Sequence, residues 1–411
     1  MSIILHSDLN NCFASIESID HPEYYKIPFA VGGDEEMRHG IILAKNEVAK
    51  KFGIKTGESL LSARQKCPDL KVVKPNFELY DKYCTQVREL YSEYTDQVEP
   101  FGMDESWLDT TGSVSLFGDG TKIAHELRRR VKKEFGLSVS VGVSFNKVFA
   151  KLGSDYKKPD AVTVISRENF RDIVWQLPVE EMLFVGRATK AKLNSCGIRT
   201  IGNLANASET FLYTLLGKNG KMLYMYANGL DTTPVKRLSE AERIKSIGNS
   251  TTTPRDMNNA EDVKIIFNLL SEQVCRRLRN HSLKCSTIQI SLRSNDLNWF
   301  ERQVQLQRPT DISGVVCNAA MELLLKNYNF SRPLRSVGIR GTDLTDAGVP
   351  EQMTFFSDEE RVEKLRKIEL VKDKINGKYG KHAIRRAVLM SDRTLVPGGN
   401  SSEITSTFKS H

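Results

Sequence analysis

The order of predicted elements constrains this chain more than any other feature. Signals run strand, helix, strand, strand, helix, strand, and after a polar stretch at 232–245 the same order returns. The apolar run Ile3-Ile4-Leu5 reads as a short buried strand near 2–7, followed by a helix-like stretch from about residue 10. A second helix covers roughly 78–95, and two short strands flank Met103-Asp104-Glu105. A helix near 120–134 and a strand at Leu137–Ser144 complete the set. That order predicts an α+β fold with a ferredoxin-like sheet.

Three carboxylates fall at strand ends of this sheet. Asp8 sits where the first strand stops, and Asp104-Glu105 lie in the turn between the two short strands. Carboxylates at strand ends can converge on one point. Such a set suits two hard divalent cations, because Mg²⁺ prefers carboxylate oxygens and keeps positions open for phosphate. A lone Asp-Glu pair in a turn is ordinarily just solvated, so the neighbouring motifs must decide.

Composition excludes several classes. In 411 residues, 40% are hydrophobic and 27% charged, as in soluble globular proteins with several domains. No apolar run reaches membrane-spanning length, and the N-terminus enters a strand without a basic region and cleavage site. The expectation is therefore a cytoplasmic protein with no membrane partner, and a monomer. Seven scattered cysteines without a CxxC pattern suggest reduced thiols rather than a disulfide frame or zinc site. The net charge of +8 is concentrated: residues 236–342 hold seventeen Lys and Arg against ten Asp and Glu. A locally basic module fits a phosphate backbone, or simply a solvated surface.

Residues 177–208 read as short helices joined by glycine turns, with Val185-Gly186-Arg187 as the turn of a helix-hairpin-helix. Its backbone N–H groups could meet a phosphate at a helix N-terminus, and nearby Lys190 and Lys192 favour DNA over a plain packing unit. The stretch 232–245 reads as a linker. In the second module Val263, Ile266, Leu270, Val274 and Leu278 fall at helical spacing. Ile288, Ile290 and Leu292 alternate with Thr287, Gln289, Ser291 and Arg293, leaving one face polar with a cation and no acid. Arg293 and Arg340 are its candidate DNA contacts. In the tail, Ser357 with Glu360 marks a capping box, and Val362, Leu365, Ile368, Val371 and Ile375 form an apolar stripe.

Whole segments resemble the Y-family translesion DNA polymerases: DLNNCFASIE (8–17), AKNEVAKKFGI (44–54), FGMDESWLDTTG (101–112), VSVGVSFNKVFAKLGSDYKKP (139–159) and SIGNSTTTPRDM (246–257). The likeness is to the DinB type, DNA polymerase IV, with UmuC-like features, and runs along essentially the whole chain. It implies a right-hand polymerase: a palm at 1–19 and 78–168, fingers at 20–77, a thumb at 169–231, a little finger at 246–343, and a tail at 344–411. It implies template-directed, low-fidelity nucleotidyl transfer from dNTPs to a primer 3′-hydroxyl on primer-template DNA. Asp8, Asp104, Glu105 and the Leu9 carbonyl would hold two Mg²⁺ ions, with Mn²⁺ as a substitute.

By the same resemblance, the backbone amides of Asn11, Cys12 and Phe13 would pass under the triphosphate, with Lys158 on its β- and γ-phosphates. Phe13 would be the steric gate against a ribose 2′-hydroxyl. Ile41 and Gly57 would roof the nascent base pair. Gln352, Met353, Phe355 and Phe356 resemble the peptide by which bacterial polymerases dock on the sliding clamp, the β subunit. Three positions depart from the pattern. Asn10 stands where many relatives carry a second Asp, which implies that this position is not an essential ligand. Glu47 and Lys50 stand where DinB-type enzymes place a Tyr and an Arg on the triphosphate; Lys50 keeps the charge without the bidentate fork.

Other readings compete. Gly32-Gly33-Asp34-Glu35-Glu36 mimics the signature of palm-fold diguanylate cyclases, but it precedes a basic turn and lies in the fingers insert. GKNGK (217–221) lacks the spacing and the terminal Ser or Thr of a P-loop. A silent DNA-binding accessory protein is the remaining alternative. The hairpin and basic module weigh against a cyclase, and the intact carboxylates weigh against a silent protein.

Overall fold

Every residue of the first strand is buried, which explains its run of apolar side chains: it lies at the centre of a sheet covered on both faces. In the computed structural model, which describes residues 2–34, 38, 40–238, 240, 244–349, 359–380 and 383–396, the strands are β1 (Ile4–Leu9), β2 (Phe29–Gly32), β3 (Ile42–Lys45), β4 (Lys71–Val73), β5 (Val98–Pro100), β6 (Glu105–Asp109), β7 (Val139–Ser144), β8 (Val162–Ile165), β9 (Ile247–Met257), β10 (Leu283–Ser294), β11 (Trp299–Thr310) and β12 (Leu334–Asp346). The chain divides into two compact units, residues 1–33 with 41–241, and residues 34–40 with 242–411.

In the first unit the sheet order is β5-β6-β1-β7-β8. The four strands anticipated from sequence take the ferredoxin-like arrangement, with β1 antiparallel to both β6 and β7. An added strand, β8, runs parallel to β7 at the edge. Ile123, Leu127 and Val131 of helix Gly120–Phe135 and Tyr80, Val87 and Leu90 of helix Phe77–Ser92 join Leu5, Leu108 and Val141 in one buried core.

The other face is closed by helix Lys147–Tyr156, capped by Asn146, whose side chain accepts from the Phe149 N–H at 2.8 Å. The approach is so close that a Cβ at Gly142 of β7 would lie 1.9 Å from the Ala150 carbonyl oxygen; opposite it, a Cβ at Gly153 would lie 3.0 Å from the Gly142 Cα. Two glycines therefore let this helix settle onto the sheet. Lys147, Lys151 and Asp155, four residues apart, come to one face of it.

Within residues 20–77, expected as fingers, lies a three-stranded sheet, β3-β2-β4, with a small core of its own around Ile42, Ile54 and Leu60. The thumb region is helical: Arg187–Ser195, Ile201–Asn206, Glu209–Leu216 and Lys218–Ala227. Part of the stretch anticipated as linker is anchored instead. Val235 is buried with Ile4, Trp107 and Ala150, and the Lys236 N–H donates to Glu99 at 2.9 Å.

The second unit carries helices Ala260–Asn280 and Ser313–Asn327 against a sheet ordered β11-β10-β12-β9. Its element order repeats that of the palm, but its strand order does not. Ile288, Ile290 and Leu292 are buried as their alternation anticipates, each worth about 1.5–3 kcal/mol. The tail helix, Glu359–Tyr379, packs with the opposite face to the one its pattern suggests. Val362, Leu365, Ile368 and Val371 stay 38–55% exposed. Its polar side docks instead: Glu369 and Asp373 meet the buried Arg279, and Arg366 meets Asp311 at 3.0 Å.

Candidate active site

Pairing of β1 with β6 sets Asp8 directly across from Glu105. The Leu9 N–H donates to the Asp104 carbonyl oxygen at 3.1 Å, which holds the turn against the end of β1. The carboxylates of Asp8 and Glu105 converge on one ammonium, that of Lys151, at 3.0 and 2.7 Å. Lys158 meets Asp8 at 2.6 Å, and Asp155 accepts from both lysines at 3.2 and 2.7 Å.

Burial, together with the neighbouring Glu105 charge, raises the pKa of Asp8. Burial, with Asp8 and Glu105 beside it, pushes Asp104 up to about 6. Burial works against charge on Lys151, yet the surrounding Asp8, Glu105 and Asp155 win and raise its pKa. The four carboxylates outnumber the two ammoniums, so the site keeps a negative excess that divalent cations can neutralise. As the side chains stand, no three His, Cys, Asp or Glu among the described residues converge closely enough to hold an ion; Lys151 occupies the point where Asp8 and Glu105 meet. The donor set itself is hard oxygen, which fits Mg²⁺-type ions.

Two further members were missed in the sequence. Lys151 leaves in the sequence only a four-residue spacing with Lys147 and Asp155, which names no role. His6 is enclosed beneath the site, with Nε2 3.3 Å from Glu105 Oε2. Ser154 spends its hydroxyl proton on the Lys151 carbonyl at 2.8 Å, so His6 Nδ1 must donate to Ser154 Oγ, also 2.8 Å away. Burial holds the pKa of His6 well below its ordinary value, so the ring is neutral. Asn10 is committed to β7: its Nδ2 donates to Ser138 Oγ at 3.2 Å and its Oδ1 accepts from Ser140 Oγ at 2.8 Å.

The chain turns immediately after β1. Asn11 takes a left-handed conformation, φ 49°, and helix Cys12–Asp20 begins. Cys12 is buried, with its sulfur 3.7 Å from that of Cys84, both free thiols. Phe13 stacks on Tyr80, ring centroids 4.4 Å apart, with Phe77 edge-on at 5.8 Å. From the insert with the three-stranded sheet, Glu47 accepts from Asn11 Nδ2 at 3.0 Å and pairs with Lys50 at 3.6 Å. Ile41 is exposed and bridges Ser59, while Gly57, φ 84°, donates to the Ile42 carbonyl at 2.8 Å; the two candidate roof residues thus share one rim.

Gly186 caps helix Arg187–Ser195 and Arg187 is exposed. The element before this turn is a 3₁₀ turn, Val179–Glu181, rather than a helix. Lys190 is engaged by Glu180 at 2.6 Å. In the second unit Arg340 is exposed and lies across from Gln289, and Arg293 lies across from Trp299, on one sheet face. That face is not free of acid: β11 brings Glu301 onto it, accepting from Gln289 Nε2 at 2.8 Å. The residues Gln352, Met353, Phe355 and Phe356, with Ser357, lie outside the described residues.

The first family profile, described as the impB/mucB/samB family, matches residues 7–155, and its C-terminal domain matches 244–355. A third, described as the thumb domain of DNA polymerase-iota, matches 184–231. DNA polymerase IV of Acetivibrio thermocellus is 50% identical, covering 96% of this chain and 98% of its own. The chain belongs to the Y-family DNA polymerases, on the DinB-like branch. DNA polymerase IV 2 of Bacillus subtilis is 35% identical to this polymerase over 95% of each chain. A solved Y-family DNA polymerase chimera of Dbh and Dpo4, 23% identical, covers 84% of this polymerase and 99% of the chimera with a TM-score of 0.74, a likeness of fold. No helix among the described residues is long and apolar enough to cross a membrane.

Proposed function

We propose that this polymerase carries out template-directed translesion synthesis, joining dNTPs to a primer 3′-hydroxyl at the Asp8, Asp104 and Glu105 cluster. One observation supports the assignment above others: the β1–β6 register sets Asp8 opposite Glu105 with Asp104 adjacent, and burial with the neighbouring carboxylates raises the pKa values of Asp8 and Asp104. These three side chains and the Leu9 carbonyl would hold two Mg²⁺ ions. Bound there, the ions supply a more acidic primer hydroxyl and charge stabilisation for the departing pyrophosphate.

The protein's own groups do the rest. The Asn11–Phe13 turn presents backbone N–H groups to the triphosphate, and Lys158, paired with Asp8 at 2.6 Å, would meet its β- and γ-phosphates. The Phe13 ring, fixed by Tyr80, excludes a ribose 2′-hydroxyl. Ile41 and Gly57 border the base pair. DNA is gripped at Gly186 and Arg187 and along the sheet face bearing Arg293 and Arg340, through phosphates rather than base edges. The domains divide as palm 1–19 and 78–168, fingers 20–77, thumb 169–231 and little finger 246–343. Gln352, Met353, Phe355 and Phe356 would bind the sliding clamp, and the polymerase acts as a cytoplasmic monomer.

Primer extension with dNTPs and Mg²⁺ tests the assignment. Asp104→Ala and Glu105→Ala should each abolish extension while DNA affinity stays within a few-fold, the loss being on the order of several kcal/mol in the transition state. Extension at the unmutated rate by either variant would end it.

A further inference from the structure

Glu47 occupies a place where a carboxylate should repel an incoming triphosphate, yet the structure gives it a specific partner. Its Oε1 accepts from Asn11 Nδ2 at 3.0 Å. Asn11 is the left-handed residue between the strand that carries Asp8 and the helix that starts at Cys12. Its side chain caps nothing in its own helix, so this bond reaches out of the palm into the fingers.

The far end of the contact is rigid. Glu47 opens the short helix Glu47–Lys51, whose cap is the buried Asn46. Asn46 Oδ1 accepts from the N–H groups of Ala49 at 2.8 Å and Phe29 at 3.2 Å. Its Nδ2 donates to the carbonyls of Tyr24 and Ile27, both at 2.8 Å. With the root of Glu47 fixed by four hydrogen bonds, its carboxylate can set the position of what it touches. Lys50, one turn on, lies 3.6 Å from Glu47 Oε2 and offsets its charge.

We propose that Glu47 is a positioning residue: a strut that ties the fingers to the Asn11–Phe13 turn and holds the triphosphate seat in register with Lys50. The proposal rests on the reading that this turn receives the triphosphate. It also gives Lys50 a second state, paired with Glu47 before a nucleotide arrives and shared with phosphate afterwards.

Steady-state primer extension on the full chain, read as KM for dNTP against kcat, tests it. Glu47→Ala should raise KM roughly five- to tenfold, the size expected for losing one ordinary net hydrogen bond, with kcat within about twofold by the same reasoning on uniform binding. Glu47→Gln keeps an oxygen acceptor and should stay near the unmutated KM. Asn11→Gly keeps the left-handed turn but deletes the amide, and should raise KM as Glu47→Ala does. The double variant Asn11→Gly with Glu47→Ala should be no worse than either alone. A Glu47→Gln variant as impaired as Glu47→Ala, or a double variant whose effects multiply, would overturn the strut. Lys158→Ala separates the two layers. If it raises KM while Glu47→Ala does not, the seat stands and the strut falls; if it leaves KM unchanged, the seat itself is misplaced and the strut falls with it.

Discussion

At the scale of single residues the site is a balance of repulsion against two ammoniums. Asp104 has no cation of its own within the ion pairs around Lys151 and Lys158, and burial with two neighbouring carboxylates raises it to about 6. The sign follows from linkage. A carboxyl whose folded pKa exceeds its unfolded value of 3.8 stabilises the fold below that value and loses this contribution as pH rises through about 6. Asp104→Asn removes the titration. In chelator, its melting temperature should therefore exceed that of the unmutated chain at pH 8, by on the order of 1–3 kcal/mol in stability, with the gap closing towards pH 4–5. A pH-independent gap would place the crowding elsewhere. Phe13 sets a second outcome. Its ring is held between Tyr80 and Phe77, so it cannot swing aside for a 2′-hydroxyl. Phe13→Ala should raise ribonucleotide incorporation relative to deoxyribonucleotide by about two orders of magnitude or more, since a buried steric clash costs several kcal/mol. An unchanged ratio in single-nucleotide assays would remove Phe13 from the gate.

At the scale of elements, helix Lys147–Tyr156 decides the site, because it delivers Lys151 and Asp155 over Asp8. Its seat depends on Gly142, where a methyl group would meet the Ala150 carbonyl at 1.9 Å. Gly142→Ala should lower stability by about 2–3 kcal/mol, read by urea unfolding, and depress extension beyond what the loss of folded protein explains. Much here was legible in the sequence. Asp8 stood at the end of an apolar run, and Asp104-Glu105 stood between two strand signals, so their convergence follows once β1 pairs with β6. Lys151 and His6 were not legible, since a lysine on a helix and a histidine in a strand gain meaning only from the helix-to-sheet contact. The polar face of β10 reads as acid-free along its own strand; Glu301 arrives from β11, a neighbour that no local pattern names. The tail helix shows the opposite limit. Its 3.6-residue apolar period forms a stripe, but Arg279, carrying its charge into a nearly buried position, binds Glu369 and Asp373 and turns the polar face inward. Charge pairing at a buried arginine outweighs the hydrophobic pattern when leaving that arginine alone would cost more.

At the scale of the whole molecule, the positive charge is concentrated in a different stretch of sequence from the carboxylates. Residues 236–342 hold seventeen Lys and Arg against ten Asp and Glu, within a chain whose net charge is +8. Grip by counterion release is strong but holds the primer end only while contact lasts. A polymerase built this way gains from a tether, because a second attachment raises its effective concentration at the primer. Gln352-Met353-Thr354-Phe355-Phe356 follows Pro350 and stands just past the last strand of the second unit. Met353 and Phe356 could each contribute about 1.5–3 kcal/mol in an apolar cleft, with Gln352 fixing register by hydrogen bonds. Changing Gln352, Met353 and Phe356 together to alanine should abolish stimulation by the sliding clamp and leave clamp-free extension at its original rate. The contrast separates docking from packing. If these side chains instead fasten the tail to the second unit, the triple variant melts at a lower temperature and loses clamp-free extension as well, and clamp affinity measured on the remaining folded protein stays unchanged.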